Sequence, residues 1–229
     1  QKMDISFLLP TARAVTNPEV LAACIRGINV QHVDLNIEIL VYSREEVKGD
    51  NVKWIKEDGV KGPIYGFNNL AHWIAKSDYM VCITDDHLMV NPATKTINHI
   101  EDNMKDRKYK IGGLMPMACP YCIMPSKGQI LGDLPIEEVM PPAALLRFPV
   151  LRRDTFNLLG EHIFHPDLFY HAGDIWLGYF LHVMGEPSAE GPTKIKGISD
   201  LKNSEHEVND CKIVYSLIKK HLNGYTNYI

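Results

Sequence analysis

Three polar side chains in a row, Asp85, Asp86 and His87, follow the apolar run Tyr79-Met80-Val81-Cys82-Ile83. Two adjacent carboxylates repel each other and resist desolvation unless a positive charge joins them. A hard divalent cation holding a diphosphate meets that need, with carboxylate oxygens on one side and phosphate oxygens on the other. Taken alone, such a pair is more often a solvated strand-to-loop turn. A second acid, Asp174, follows Phe169-Tyr-His-Ala-Gly and falls in the first turn of a helical pattern over Gly173–Met184. A carboxylate so placed can accept the proton of an attacking hydroxyl, or simply complement the helix dipole.

The elements that must position these groups are legible in the first 90 residues. Residues 79–83 are too short for a lone helix and read as a fully buried strand, whose carboxyl end delivers the acids. Open α/β sheets place their ligands at such ends. Ile5–Pro10 reads as a first strand, followed by Asn17-Pro18-Glu19, an N-cap, a proline at the first helical position and an acid in the first turn. Leu21, Cys24, Ile25 and Ile28 then recur at helical spacing, up to about Asn29. Ile37–Tyr42 and Val52–Ile55 read as strands, and Phe67, Leu70, Ala71 and Ile74 mark a helix that feeds the acid-bearing strand. Strand alternating with helix argues for a mostly parallel, nucleotide-binding type of sheet.

The second half is less regular. Residues 112–142 read as loops with short strands, Leu145–Leu151 as strand and Arg153–Leu159 as a short helix. The stretch 186–203 reads as mobile. Ser204-x-x-Glu207 reads as a capping box for a last helix that turns Cys211, Val214, Leu217 and Ile218 to the core.

At 229 residues the chain fits one α/β domain with a substantial core. A net charge of −4 argues against broad binding to nucleic acid or anionic membrane. No stretch approaches the 18 apolar residues of a membrane span. Five scattered cysteines, an odd number, and no Asn-x-Ser/Thr site point to a reducing, cytoplasmic setting with free thiols.

Together these stretches resemble the GT-A glycosyltransferases, in particular the family-2 group that includes the spore-coat polysaccharide transferases. The resemblance runs over residues 4–100 and 144–186. It is carried by Ile5-Ser-Phe-Leu-Leu-Pro-Thr11, by Asn69, by Asp78-Tyr-Met-Val-Cys-Ile-Thr-Asp-Asp-His-Leu-Met-Val-Asn-Pro92 and by Phe169-Tyr-His-Ala-Gly-Asp174. It implies a single GT-A domain, a mixed, mostly parallel sheet flanked by helices. Residues 1–92 would bind a nucleotide-sugar donor, UDP-linked by expectation, and residues 93–229 a glycan or other hydroxyl acceptor.

The resemblance also assigns residues. Asp85 would meet the ribose and Asp86 the metal; an Asp85-x-His87 pairing is the alternative register. A His87 ligand would favour Mn²⁺ over Mg²⁺. Pro10, Thr11 and Arg13 fall where the family grips base and ribose, and Tyr65 and Asn69 where it lines the nucleotide pocket. Ser43, within Tyr42-Ser43-Arg44, stands where members commonly carry the Asp that reads uracil. Asp174 matches the family's catalytic base, which implies inversion at the anomeric carbon.

Several residues invite other readings. Cys119-Pro-Tyr-Cys122 spells a glutaredoxin motif, but that site needs a helix opening at the first Cys, and Pro125 obstructs it. His171 reads as a packing histidine that could steer the acceptor, and His206 as a solvated one, with a late metal ligand as the alternative. A sugar-phosphate nucleotidyltransferase would want glycines in the loop after the first strand, which Thr11-Ala-Arg13 lacks. A non-catalytic nucleotide-binding module of the same fold is the third reading.

Overall fold

The computed structural model describes residues 4–114, 130–131, 134–135, 146–169, 173–185, 189–191, 193–197, 209–210, 212–214 and 216–217. The predicted first strand is β1 (Asp4–Pro10), and the next two are β2 (Asn36–Ser43) and β3 (Val52–Lys56). Between β1 and β2 lie a single turn, α1 (Arg13–Thr16), and α2 (Pro18–Gln31). Asn17 caps α2 through its side chain, which accepts from the Val20 backbone N–H, and Pro18 stands where its missing N–H costs nothing. The buried face of α2 is Leu21, Cys24, Ile25 and Ile28, as the spacing predicts.

Helix α3 (Gly62–Asn69) runs on into one π-helical turn, Leu70–Ile74, before β4 (Tyr79–Cys82). The guanidinium of Arg153 closes that turn, donating to the carbonyls of Ala71 at 3.1 Å and Ala75 at 2.6 Å. Then follow β5 (His87–Met89), α4 (Thr94–Asn103), β6 (Ile111–Gly113), β7 (Ile130–Leu131) and β8 (Leu134–Pro135). After these come β9 (Pro149–Arg152), α5 (Arg153–Leu158), α6 (Gly173–Val183), β10 (Ala189–Glu190) and β11 (Ile195–Gly197). Residues 209–210, 212–214 and 216–217 are helical.

Among the described residues the main sheet is ordered β10-β6-β9-β4-β1-β2-β3. β4, β1, β2 and β3 run parallel, while β9 lies antiparallel between β4 and β6. The acid-bearing strand is therefore the middle one, and all four of its residues are buried. Side-chain alternation divides the core into two layers. Ile5, Phe7, Leu9, Ile39, Val41 and Val81 face α2 and α4. Leu8, Leu40, Met80 and Cys82 face α3 and α6.

Part of 186–203, expected to be mobile, is strand. β10 extends the main sheet beside β6, and β11 pairs antiparallel with β5, with Gly197 opposite His87. Thr193 between them is fully buried and its hydroxyl meets that of Thr96 at 2.7 Å. These strands are too short for any periodic signal, and their long-range pairing makes them. Among the described residues no helix is long and apolar enough to cross a membrane.

One buried histidine ties α2 to the turn before α4. The Nδ1 of His32 lies 2.6 Å from the Ile28 carbonyl, and its Nε2 accepts the Ala93 backbone N–H at 2.9 Å. Both bonds together require the neutral ring with its proton on Nδ1. Burial holds the imidazole below its ordinary range, against the carbonyl of Ile28. The unfolded chain takes up this proton near pH 6.5, whereas folded His32 resists it, so stability falls as pH drops through that value. The melting temperature should decrease between pH 7.5 and 5.5, and less so in His32→Phe. An unchanged pH dependence in that variant would refute the assignment.

Candidate active site

The parallel register brings the carboxyl ends of three strands to one place. Leu8 pairs with Cys82 and Pro10 with Tyr42, and the Thr11 N–H donates to the Tyr42 carbonyl at 2.9 Å. Ile83 donates to the Leu8 carbonyl, which sets the loop 84–86 directly against the turn that follows β1.

That turn clamps Asp85. The Thr11 hydroxyl accepts the Arg13 backbone N–H at 2.9 Å and donates to Asp85 Oδ2. Arg13 Nε donates to Asp85 Oδ1 at 2.9 Å. Both carboxylate oxygens are thus engaged by the chain itself. Burial pushes the Asp85 carboxyl above its ordinary range, in spite of the Thr11 hydroxyl and the Arg13 charge.

Asp86 is deeper and differently served. Its Oδ1 accepts from the Thr84 hydroxyl at 2.8 Å and lies 2.7 Å from His87 Nδ1. Its Oδ2 is buried with no hydrogen-bond partner, and Arg13 Nη2 stands 3.7 Å away. Burial works to raise this carboxyl, but the hydrogen bond and charge of His87, with Thr84, hold it down to about 2. A buried carboxylate oxygen without a hydrogen-bond donor is costly, and beyond the distant Arg13 charge a directly ligated cation would satisfy it.

Imidazole and carboxylate meet through Nδ1, so that Nε2 is the ring nitrogen outside the pair. Metal-ligating histidines are commonly oriented by such a carboxylate. The His87 ring is 7% exposed and packs edge-on against Phe148, centroids 4.8 Å apart at 64°. Phe148 holds a backbone φ of +53°, a left-handed conformation that disfavours a bulky residue. Hydrogen bonds from the Leu114 N–H to the carbonyls of Arg147 and Phe148 fix it there. Strain of this kind persists where the surrounding structure over-determines it, which is common beside functional sites. Among the described residues no group of three or more His, Cys, Asp or Glu could enclose a metal unaided. The donor set fits an ion that takes one or two protein ligands and finds the rest on substrate phosphates.

Other expected residues lie around this centre in different ways. Gly66 lets α3 pack directly on the strand ends, since a Cβ there would come within 2.6 Å of Pro10 Cβ and 3.0 Å of Tyr42 Cδ1. The neighbouring Tyr65 remains 44% exposed, tilted against Tyr42 with centroids 6.1 Å apart. Ser43 is fully buried, its hydroxyl donating to the Glu45 carbonyl at 2.7 Å and lying 3.2 Å from Trp54 Nε1. That hydroxyl anchors the turn after β2. Asn69 is half-buried at the end of α3, while its neighbour Asn68 is buried. The Asn68 amide donates to the Phe164 carbonyl at 2.8 Å and accepts from Ile163 and Phe164 at 2.9 and 3.0 Å.

Asp174 sits in the first turn of α6, half-buried, its Oδ1 accepting the Ile175 N–H at 2.9 Å. Gly173 permits the tight seat of this helix: a Cβ there would lie 2.5 Å from the Phe164 ring and 3.0 Å from Ile64. Ile64 in turn donates to the Phe169 carbonyl at 3.3 Å. Through Ile64 and Gly66, the first turns of α3 link the start of α6 to Pro10 and Tyr42. Cys119, Cys122, His171 and His206 lie outside the described residues.

The architecture is that of the GT-A glycosyltransferases, and several solved structures of that class share it. GalNAc-T7 with UDP, GalNAc and Mn²⁺ superposes with a TM-score of 0.62 at 12% identity, over 94% of this chain and 48% of that one. Residues 1–349 of TarS from S. aureus, in complex with UDP-GlcNAc, give 0.58 at 13% identity, over 99% and 68%. The mannosyltransferase PcManGT from Pyrobaculum calidifontis, with GDP-Man and Mn²⁺, gives 0.55 at 14%, over 84% and 55%. The chain thus spans about half to two thirds of the structures it matches, and at such identities the likeness is one of fold. No family model and no curated protein sequence matches the chain.

Proposed function

We propose that this chain is a metal-dependent glycosyltransferase. It moves a sugar from a nucleotide-sugar donor, UDP-linked by preference, to a hydroxyl of a glycan or other acceptor, with inversion at the anomeric carbon. One observation carries the reading: Asp86 presents a buried carboxylate oxygen without a hydrogen-bond partner, 3.7 Å from Arg13 Nη2, at the carboxyl end of the central strand of a GT-A fold. The solved relatives in fold that hold UDP with Mn²⁺ or GDP-Man with Mn²⁺ support it.

In this reading Asp86 would hold the ion through Oδ2, with His87 orienting that carboxylate from Nδ1. In the alternative register Asp85 and His87 Nε2 would hold it, with Asp86 orienting the ring and Mn²⁺ preferred over Mg²⁺ for the imidazole. When bound, the ion neutralises the charge that grows on the departing diphosphate. Asp85, clamped by Thr11 and Arg13, faces the ribose. Pro10 and the exposed ring of Tyr65 border the base. Because the Ser43 hydroxyl is committed to its own turn, discrimination of the base would rest on backbone groups and Tyr65. Asn69, half-buried at the end of α3, lines the nucleotide pocket.

Asp174 acts on the acceptor. Its carboxylate takes the hydroxyl proton as the new bond from oxygen to the anomeric carbon forms. The bond from that carbon to the diphosphate oxygen breaks, and its electron pair leaves with the nucleoside diphosphate. Residues 1–92 serve the donor and 93–229 the acceptor. The odd number of cysteines, with Cys24 and Cys82 free, supports a reducing, cytoplasmic setting.

Turnover separates this enzyme from a binding module of the same fold. With Mn²⁺ and a panel of UDP-sugars and hydroxyl acceptors, the protein should release UDP in an acceptor-dependent manner. Tight donor binding without UDP release under any acceptor would identify a module instead.

A further inference from the structure

Arg13 stands between the two carboxylates where the cation of the proposed donor site would act. Its Nε is bonded to Asp85 Oδ1 at 2.9 Å, while its Nη2 lies 3.7 Å from Asp86 Oδ2, the buried oxygen without a hydrogen-bond partner. The side chain is itself 22% exposed and Asp86 only 3%, so the charges meet where water screens them poorly. The backbone holds it there: the Arg13 N–H donates to the Thr11 hydroxyl, which donates in turn to Asp85.

We propose that Arg13 is the resident counter-ion of the Asp85–Asp86 pair, opposing a bare divalent cation and admitting one only together with a nucleoside diphosphate. This rests on the glycosyltransferase reading given above. A guanidinium this close to Asp86 Oδ2 repels a dication bound to the same oxygen. A diphosphate removes the conflict, because its oxygens accept from the guanidinium fork and ligate the ion at the same time. Ion and nucleotide then bind with positive coupling, and by linkage each raises the affinity of the other by the same factor. Arg13 is thus a positioning residue that orders the loading of the site and keeps an ion from occupying it without donor.

Mn²⁺ binding read by electron paramagnetic resonance, with and without UDP, tests this on the wild type, Arg13→Gln and Arg13→Lys. Circular dichroism would confirm that each variant is folded. Wild type should bind Mn²⁺ feebly alone and at least tenfold more tightly with UDP, within the range usual for coupled sites, about 5–150-fold. Arg13→Gln should bind Mn²⁺ alone about tenfold more tightly than wild type and gain correspondingly less from UDP. Arg13→Lys keeps the charge but not the fork, so it should still oppose Mn²⁺ alone, as wild type does, while gaining less from UDP. Equal or weaker binding of Mn²⁺ alone by Arg13→Gln, while wild type still gains Mn²⁺ affinity from UDP, overturns the role of Arg13 and leaves the donor site standing. If wild type takes up neither UDP nor Mn²⁺ in any combination, the donor site itself is wrong and the proposal goes with it.

Discussion

Asp174→Asn is expected to lower the rate of sugar transfer by about 10²–10⁴-fold while donor affinity stays within a few-fold of wild type. The amide keeps the shape of the side chain, and its oxygen can still accept the Ile175 N–H that Asp174 Oδ1 accepts at 2.9 Å. It cannot take a proton. The loss corresponds to roughly 3–5 kcal/mol of barrier, the usual worth of a general base. Steady-state kinetics with saturating donor, beside calorimetric titration of UDP, separates the outcomes. A rate loss below tenfold would reduce Asp174 to an acid that complements its helix. A collapse of donor binding would move it into the nucleotide or metal site.

Asp86→Ala should abolish the Mn²⁺-dependent part of UDP affinity. Truncating one member of a desolvated charge constellation typically costs about 2–5 kcal/mol, roughly thirtyfold or more in a dissociation constant. The fold should survive, because Oδ2 has no hydrogen bond to lose and the two partners of Oδ1, the Thr84 hydroxyl and the His87 ring, can turn to each other across 2.7 Å. Calorimetry with UDP in Mn²⁺ and in chelator measures the difference directly. An unchanged Mn²⁺ dependence in the variant would remove the metal from Asp86.

The first half of the fold was legible because its elements are long enough to show a period. Leu21, Cys24, Ile25 and Ile28 appear on the buried face of α2, and Tyr79–Cys82 is the buried central strand that its apolar run predicts. The antiparallel insertion of β9 between β4 and β6 has no local signature, since the pairing joins residues far apart in sequence. The strands β5 and β11 are three residues each, too few to alternate visibly.

The candidate site divides in the same way. Asp85, Asp86 and His87 stand out as residue types on a recognisable strand end. The clamp of Arg13 and Thr11 on Asp85 depends on the register of β1 against β4, which composition does not encode. Phe148 was missed because nothing about a phenylalanine announces a positive φ. Asn68 and Asn69 differ by one helical step, and only packing against Phe164 tells which one turns inward.

A thermal-shift series of nucleotide-sugars with and without Mn²⁺ tests the central claim most directly, that the carboxyl ends of β1, β2 and β4 hold a nucleotide-sugar together with a divalent cation. A ligand at 100 times its dissociation constant adds about 2.7 kcal/mol of stability, a rise in melting temperature of roughly 5–10 °C for a chain of this size. A UDP-sugar with Mn²⁺ should produce such a rise, and the same sugar in chelator should produce a much smaller one. The claim is contradicted if no nucleotide-sugar shifts the transition, in either condition.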